Sequence, residues 1–204
     1  SYTQADSIAL QLPMNFGGTP ICMFVGDTST HQGTLTPVQT ATQFQTYLGS
    51  YDANDNEHLP QPGAYVVGSG DGSGDTLTNV WPTQADTQIG YSISGSGVIA
   101  GSGGKAPGAM QMAFGAAGND LRVTGVIRNF WQEYPHALTA NDDGTMRLEL
   151  WPSLAWKLQV FEGVMKTNEM FLSFERQVGV QSGAASTLAN LLNDPPFAAC
   201  KPVH

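Results

Sequence analysis

The clearest hydrophobic pattern lies in the second half of the chain, where apolar and polar residues alternate with a period of two. Leu121 and Val123 alternate with Arg122 and Thr124, for example. The dipeptide Asp143-Gly144 is typical of a tight hairpin turn between two such runs. Because successive side chains of a strand point to opposite faces, the pattern predicts antiparallel strands with one buried face. In this half the predicted strands are 121–128, 146–150, 154–160 and 170–174.

The first half of the chain contains short apolar runs separated by glycine, proline and small polar residues. Runs of this length with such boundaries are typical of β-strands. Two of the separating segments, 68–75 and 95–104, are rich in glycine and serine and are interpreted as loops. The predicted strands here are 7–12, 20–25, 64–68, 76–81, 88–94 and 109–114.

Two segments carry helix signals. Thr36–Gly49 begins with an N-cap threonine and a proline and ends at glycine, with Val38, Ala41 and Phe44 on one face. Ala184–Asn193 has leucines at helical spacing and is followed by proline. Many short antiparallel strands with two short helices predict an all-β fold, an antiparallel β-sandwich, as one domain over residues 1–204.

The composition provides enough apolar residues for a core, 41%, but only 12% charged residues. That charged share is about half of the usual value. A polar surface with few charges is common in secreted and cell-surface β-proteins. We therefore expect an extracellular or cell-surface location.

The charge is distributed unevenly along the chain. No lysine or arginine precedes Lys105, and the net charge is −9. This balance argues against nucleic acid, whose binding depends on basic residues that neutralise phosphates, and against anionic membranes. An acidic polysaccharide could bind only at the cationic positions Arg122, Arg128, Arg147 and Lys166.

The two cysteines, Cys22 and Cys200, lie near opposite ends of the chain. In an oxidising compartment a disulfide between them would close a very long loop, worth about 4–5 kcal/mol in the loop-entropy description. Two buried free thiols are the alternative, because unpaired cysteine is among the most buried residue types.

Two polar loops carry candidate calcium ligands, and calcium is the only cofactor that the sequence suggests. Carboxylate and amide oxygens with alternate spacing are typical calcium ligands, but Glu57 occupies the position that needs glycine. The alternative is that glycine and aspartate only provide turn conformations. The candidate ligands are Asp52, Asn54 and Asn56 in the first loop and Asp71 and Asp75 in the second.

The densest group of chemically interesting side chains lies between Arg128 and His136. Sugar-binding sites use flat aromatic faces, here offered by Trp131, and acidic sugars also need a cation. Lytic cleavage needs a base and a group that neutralises the carboxylate. Tyr134 or His136 could be that base and Arg128 the neutralising cation. Alternatively, the aromatic side chains cap the sandwich and Arg128 braces a loop.

The same region carries a family resemblance. Residues 128–135 read RNFWQEYP, a strand then ends in ELWP at 149–152, KTNE follows at 166–169, and PPFAA closes the run at 195–199. These motifs resemble the central β-sandwich domain of the exo-rhamnogalacturonan lyase family. The resemblance implies a carbohydrate-associated domain, a lyase reaction by β-elimination in active members, and substrate-binding roles for the residues Arg128, Trp131, Gln132 and Lys166.

Two departures from the family pattern change what the resemblance implies. The usual histidine of the KTHE motif is Asn168 here, and an amide cannot exchange protons near neutral pH. The 204 residues also leave no room for the helical toroid of the lyases. We therefore expect a module of a larger multidomain protein, or a processed subunit, that is inactive alone and binds polysaccharide or adjoining domains.

Two other functions stay open at this stage. The chain could be a self-assembling subunit of a filament or surface layer, since its low charge density favours close subunit contacts. Its acidic first half would then meet the more basic half of another copy, head to tail. It could also be a fragment of an active lyase whose site is completed by a missing domain.

Overall fold

The computed structural model of the 204-residue chain describes residues 2–14, 18–45, 65–67, 76–78, 90–95, 99–115, 121–153, 158–161, 167–176 and 179–194. These residues form fifteen strands and one helix. In chain order the elements are β1 Tyr2–Ala5, β2 Ile8–Pro13, β3 Ile21–Val25, β4 Thr30–Thr34, β5 Thr40–Gln45, β6 Tyr65–Val67, β7 Thr76–Thr78, β8 Tyr91–Ser94, β9 Gly101–Gly103, β10 Ala109–Phe114, β11 Leu121–Ile127, β12 His136–Asn141, β13 Thr145–Trp151, β14 Leu158–Phe161, β15 Met170–Glu175 and α1 Ser182–Asn193.

Eleven of the strands form two antiparallel sheets. The five-stranded sheet has the order β15-β11-β10-β3-β4, and the six-stranded sheet has the order β2-β13-β12-β5-β8-β9. The other strands pair as β1 with β14 and β6 with β7. The predicted all-β class is therefore confirmed, and the arrangement is that of a β-sandwich.

One hydrophobic core lies between the two sheets. The alternation seen in the sequence aims Val123 and Ile127 of β11 at Met146 and Leu148 of β13. Gly125 lies between them, and a Cβ there would meet Leu148 and Met146 at 3.0 Å. Each Å² of apolar surface that this core buries stabilises the fold by roughly 25 cal/mol.

A second, smaller core lies on the outside of the five-stranded sheet, under α1. Ala185 and Ala189 of the helix pack on Met23, Val25 and neighbouring apolar residues of the sheet. Small alanine side chains allow the helix to lie close to the strands. The predicted helix at 184–193 is confirmed, except that Leu191 is exposed and does not face inward.

The helix predicted over Thr36–Gly49 is wrong in the part that the structure describes. Residues 36–39 form a turn, with Val38 in a left-handed conformation, and β5 follows at Thr40–Gln45. This strand pairs with β12 on one side and β8 on the other. Two complete ladders of hydrogen bonds outweigh a helix propensity of a few tenths of a kcal/mol per residue. Residues 46–49 lie outside the described residues.

The sequence pattern found most of the remaining strands but missed four of them. Each predicted strand overlaps an observed one, although positions 154–157 lie outside the described residues. The missed strands are β1, β4, β9 and β12. The β4 sequence THQGT is polar throughout, and β9 lies within the predicted loop 95–104. No helix in the described part of the chain is long and apolar enough to cross a membrane.

Candidate functional site

A short turn between β11 and β12, residues 128–134, carries most of the predicted binding residues. We refer to it as the aromatic turn. Asn129 adopts a left-handed conformation (φ 54°), which asparagine tolerates better than most residues. Its side-chain Nδ2 donates to Glu133 Oε1 at 2.9 Å, and the Glu133 N–H donates to the Asn129 carbonyl at 2.9 Å. The turn is therefore closed by its own hydrogen bonds.

The aromatic turn is also tied to the rest of the domain. The Asn129 N–H donates to Oδ1 of Asn193, the last residue of α1, at 2.7 Å. The next residue, Phe130, is fully buried in the main core. Trp131 is half-buried and Gln132 is exposed. The buried phenyl ring and the helix contact together hold the backbone of the turn that carries Trp131.

A second segment, residues 104–106, lies against the aromatic turn. Nζ of Lys105 lies 4.5 Å from the centroid of the Trp131 ring, a cation–π geometry. The residues on both sides of Lys105 are held by one buried side chain. Gln45 Nε2 donates to the Gly104 carbonyl at 3.1 Å, and the Ala106 N–H donates to Gln45 Oε1 at 3.0 Å.

Asp27 provides another anchor for this segment. Its Oδ2 accepts the Gly104 N–H at 2.8 Å, and its Oδ1 accepts the Tyr91 hydroxyl at 3.2 Å. The Gly104 hydrogen bond is the main reason that the pKa of Asp27 lies below its ordinary value. A carboxylate that stays ionised keeps this attachment near neutral pH. Lys105 is thus presented by a segment whose backbone is held at three points.

Arg128 braces the start of the aromatic turn. Its Nη1 donates to Oε2 of Glu169 at 2.6 Å, and its backbone N–H donates to the Glu169 carbonyl at 2.9 Å. The contact extends the pairing of β11 with β15 by one residue. The guanidinium charge is balanced by this partner, which agrees with the bracing role that the sequence left open for Arg128.

The structure gathers three of the predicted residues at one end of the sandwich. Arg128, Trp131 and Gln132 lie on the aromatic turn, whereas Tyr134 at its end packs against Phe44 and Ala137. Phe44 and Ala137 lie on the outer side of the six-stranded sheet. Tyr134 is therefore half-buried in a small apolar cluster on that side of the sheet.

His136 does not share the exposed position that a base needs. It is fully buried at the start of β12, and its Nδ1 donates to the Phe130 carbonyl at 3.1 Å. Its ring lies 5.7 Å from the Phe130 ring, centroid to centroid. This geometry favours a structural role in holding the aromatic turn. A catalytic role stays a prediction that the geometry does not support.

Several predicted residues lie outside the described residues. Within the described ranges, no three His, Cys, Asp or Glu side chains are grouped as metal ligands would be. The predicted calcium site therefore stays a prediction. The predicted site residues that lie outside the described ranges are Lys166, Asp52, Asn54, Asn56, Asp71, Asp75 and Cys200.

The predicted Cys22–Cys200 disulfide receives no support. Cys22 has a free thiol, fully buried between the two sheets, and the described residues contain no disulfide. Burial raises the pKa of the thiol to about 12, so it stays protonated and unreactive. The packing of the inner face of β3 thus favours the alternative, a buried free cysteine.

Arg122 and Arg147 were two of the positions at which an acidic polysaccharide could bind, and both contact a glutamate in the structure. Arg122 is buried on the outer side of the five-stranded sheet and forms an ion pair with Glu175. Arg147 lies 3.5 Å from the buried Glu149, measured from Nη2 to Oε2. Arg122 is therefore not accessible to a polysaccharide in this structure.

A cleft of about 410 Å³ lies elsewhere, between the β3–β4 turn and the first turn of α1. Its lining is mostly hydroxyl groups and backbone, from residues 25–30 with Ser182, Gly183 and Ser186. It offers no aromatic face for a sugar ring. The end of the sandwich that carries Trp131 is the better candidate site.

Sequence reasoning missed the residues that build this site around Trp131. Lys105, between glycine and Ala106-Pro107, carries a local signal for an exposed loop. Gln45, Asp27 and Asn193 carry no such signal, because each acts through a contact across the fold. No known protein-family model matches the chain, and no curated protein is significantly similar to it. The lyase-like resemblance therefore depends on the quoted motifs alone.

Proposed function

We propose that this domain is an extracellular carbohydrate-binding module, non-catalytic by itself, that binds a sugar through Trp131. The observation that carries the proposal is the half-buried indole on a turn held by both Phe130 and α1. Apolar C–H groups of a sugar pack well against an indole face. A tryptophan on a backbone that is already held loses less conformational freedom on binding, which favours affinity.

Polar groups beside the indole would orient the bound sugar. The exposed amide of Gln132 follows Trp131 directly, and it can both donate and accept hydrogen bonds to sugar hydroxyls. Arg128, held by Glu169, lies at the start of the same turn. This arrangement agrees with the substrate-binding roles that the lyase-like resemblance implies for the three residues.

The proposal that the isolated chain is non-catalytic is supported by the burial of one of the two candidate bases. A lyase base must reach the substrate, and His136 is fully buried. Asn168 stands where the lyase-like motif has histidine, and an amide does not transfer protons near neutral pH. Activity as a polysaccharide lyase would need groups from another domain. The other open function, a fragment of an active lyase, is tested by measuring lyase activity after the chain is mixed with such a domain.

Trp131→Ala should lower the affinity for a bound glycan by about tenfold, since a well-placed aromatic contact contributes about 0.5–1.5 kcal/mol beyond the apolar area that it buries. The measurement begins with an array of neutral, carboxylated and sulfated glycans, followed by calorimetry on those that bind. Phe174→Ala is the matched control, because it truncates an exposed aromatic near the other end of β15. Wild-type protein that binds no glycan, or equal affinity in the Trp131 variant, would refute the proposal.

A second function, self-assembly, is favoured by a specific observation. The edge strand β15 carries two exposed aromatic side chains, Phe171 (40% exposed) and Phe174 (58% exposed), which lie on opposite faces of the strand. An edge strand also presents backbone groups that can pair with another chain. Such an edge suits contact with another copy in a filament or surface layer.

The lateral arrangement of the strands is compatible with a head-to-tail contact. His31 of β4 lies where a Cβ on Gly101 of β9 would be, so these two edges share one flank. That flank comes from the first 103 residues, which have no lysine or arginine. The flank that carries β15 comes mainly from the more basic half of the chain, apart from β2.

Phe174→Ser should weaken assembly strongly if β15 forms the contact. Burial of one phenylalanine contributes about 1.5–3 kcal/mol, so at least a tenfold higher concentration would be needed for the variant to associate. Light scattering and electron microscopy of the wild type and the variant measure this, with Trp131→Ala as control. A wild-type protein that stays monomeric at high concentration, with and without calcium, would rule out self-assembly.

A further inference from the structure

We infer that Lys105 makes the Trp131 site selective for sugars that carry an anionic group. The inference rests on the proposed function and extends it, because it names the class of sugar and the residue that selects it. The group is a carboxylate or a sulfate, whose negative charge would pair with the Lys105 ammonium.

The Lys105 ammonium lies over the indole ring of Trp131. Lys105 Nζ lies 4.5 Å from the centroid of the indole ring, so it covers part of the face that a sugar would use. The flanking residues Gly104 and Ala106 are held by Gln45 and Asp27. The backbone under Lys105 therefore has one position, and only the flexible side chain can move aside.

Lys105 and Arg128 both lie at this end of the sandwich, but their charges have different partners. Arg128 already shares its charge with Glu169 at 2.6 Å. Lys105 makes no ion pair with any described residue, and its partner is an uncharged ring. Arg128 was one candidate for the cation that neutralises a sugar carboxylate. The geometry points to Lys105, since of these two cations it alone lacks an ion pair with a described residue.

The position of the ammonium affects the binding of neutral and anionic sugars differently. A neutral sugar that packs on the covered face must displace the ammonium and offers it only uncharged oxygen acceptors in return. An anionic sugar displaces the ammonium too, but it provides an ion pair that replaces the cation–π contact. Lys105 therefore favours anionic sugars over neutral ones at the same indole, because only the anionic ligand compensates the charge of the displaced ammonium.

The test uses Lys105→Gln, which keeps most of the side-chain length and removes the charge. The expected loss of affinity for an anionic oligosaccharide is about fivefold, which corresponds to about 1 kcal/mol for a water-exposed ion pair. Affinity for the neutral counterpart should be unchanged or higher. Lys105→Arg should retain the preference. Arg176→Gln removes an exposed cation at the far end of β15 and controls for the change in net charge.

The ligands form a matched set measured by calorimetry. The first is an oligogalacturonate, the second is the same oligosaccharide with its carboxylates methyl-esterified, and the third is a sulfated galactan oligosaccharide. The first two differ in charge and in one methyl group at each carboxylate, and the third separates sulfate from carboxylate recognition. The preference should weaken with added salt, because exposed pairs are screened over about 8 Å at physiological ionic strength.

The outcomes separate this inference from the function on which it rests. A Trp131→Ala variant that loses binding while Lys105→Gln keeps the full preference for anionic ligands would overturn the inference alone. So would a wild-type protein that binds only neutral glycans. A wild-type protein that binds no glycan on the array would overturn the proposed function itself. Parallel loss of affinity for anionic and neutral ligands in Lys105→Gln would indicate a merely structural lysine.

Discussion

Gly108→Ala should destabilise the domain by about 2–5 kcal/mol, from left-handed strain and overpacking together. Gly108 precedes β10 with a φ of +81°, a conformation that L side chains rarely adopt. A Cβ there would press on Cβ of Phe130 and lie 2.6 Å from the Ile127 carbonyl oxygen. Phe130 would have to leave its buried position, and the aromatic turn would move with it.

Two other glycines separate the causes of this loss. Gly18 has a φ of +79° but nothing within 4 Å of an added Cβ, so Gly18→Ala should cost about 1–2 kcal/mol through backbone strain alone. Gly183 lies in α1 with open space around it, and Gly183→Ala should stabilise by up to about 1 kcal/mol. Urea unfolding of the three variants gives the order directly. Equal costs at Gly108 and Gly18 would show that the contact with Phe130 contributes nothing.

Glu175→Gln should cost about 2–4 kcal/mol, whereas Arg122→Met should cost less than about 1 kcal/mol. The Arg122 side chain is only 2% exposed, and its Nε and Nη1 have no hydrogen-bond partner among the described residues. Removing the Glu175 charge leaves a buried guanidinium without its counter-ion, which is strongly destabilising. Removing Arg122 leaves Glu175, 32% exposed, which water can solvate. Methionine then fills the space of the arginine stem.

The same pair makes stability depend on pH. The hydrogen bond from Arg122, with a smaller contribution from Ser173, holds the pKa of Glu175 below its ordinary value of 4.5. A depressed folded-state pKa means that the pair stabilises the fold fully above pH 4.5. That contribution is lost as the pH falls through the lowered folded-state value. The difference in unfolding free energy between wild type and Glu175→Gln should therefore shrink from pH 7 to pH 3.

Denaturant titrations at both pH values check the magnitude and the direction. Arg147→Met is the reverse case, because it removes the more exposed partner (31% exposed) and leaves the buried Glu149 (6% exposed) without its cation. A larger cost for Arg122→Met than for Glu175→Gln would contradict the assignment of the buried charge as the dominant factor. A wild-type to Glu175→Gln difference that stays constant with pH would contradict the assignment of the carboxylate as the titrating group.

The candidate site divides between local signals and contacts across the fold. The run from Arg128 to Tyr134 was recognisable from its aromatic and polar residues, and the structure places it on one turn. The same run did not reveal that His136 points into the core or that Tyr134 packs against Phe44. The side of the domain that a turn residue faces depends on the surrounding strands, which local spacing does not encode.

The sequence by itself determined the all-β class, the strands with clear alternation, and the helix at 184–193. Each of these depends on a period that neighbouring residues alone create. Tertiary structure decided the rest. Thr40–Gln45 became a strand because β8 and β12 offered it two hydrogen-bonded edges, and its inward Gln45 then fixed the segment that carries Lys105. Lys105 and Trp131 are 26 positions apart in the chain and meet only because both sheets are assembled.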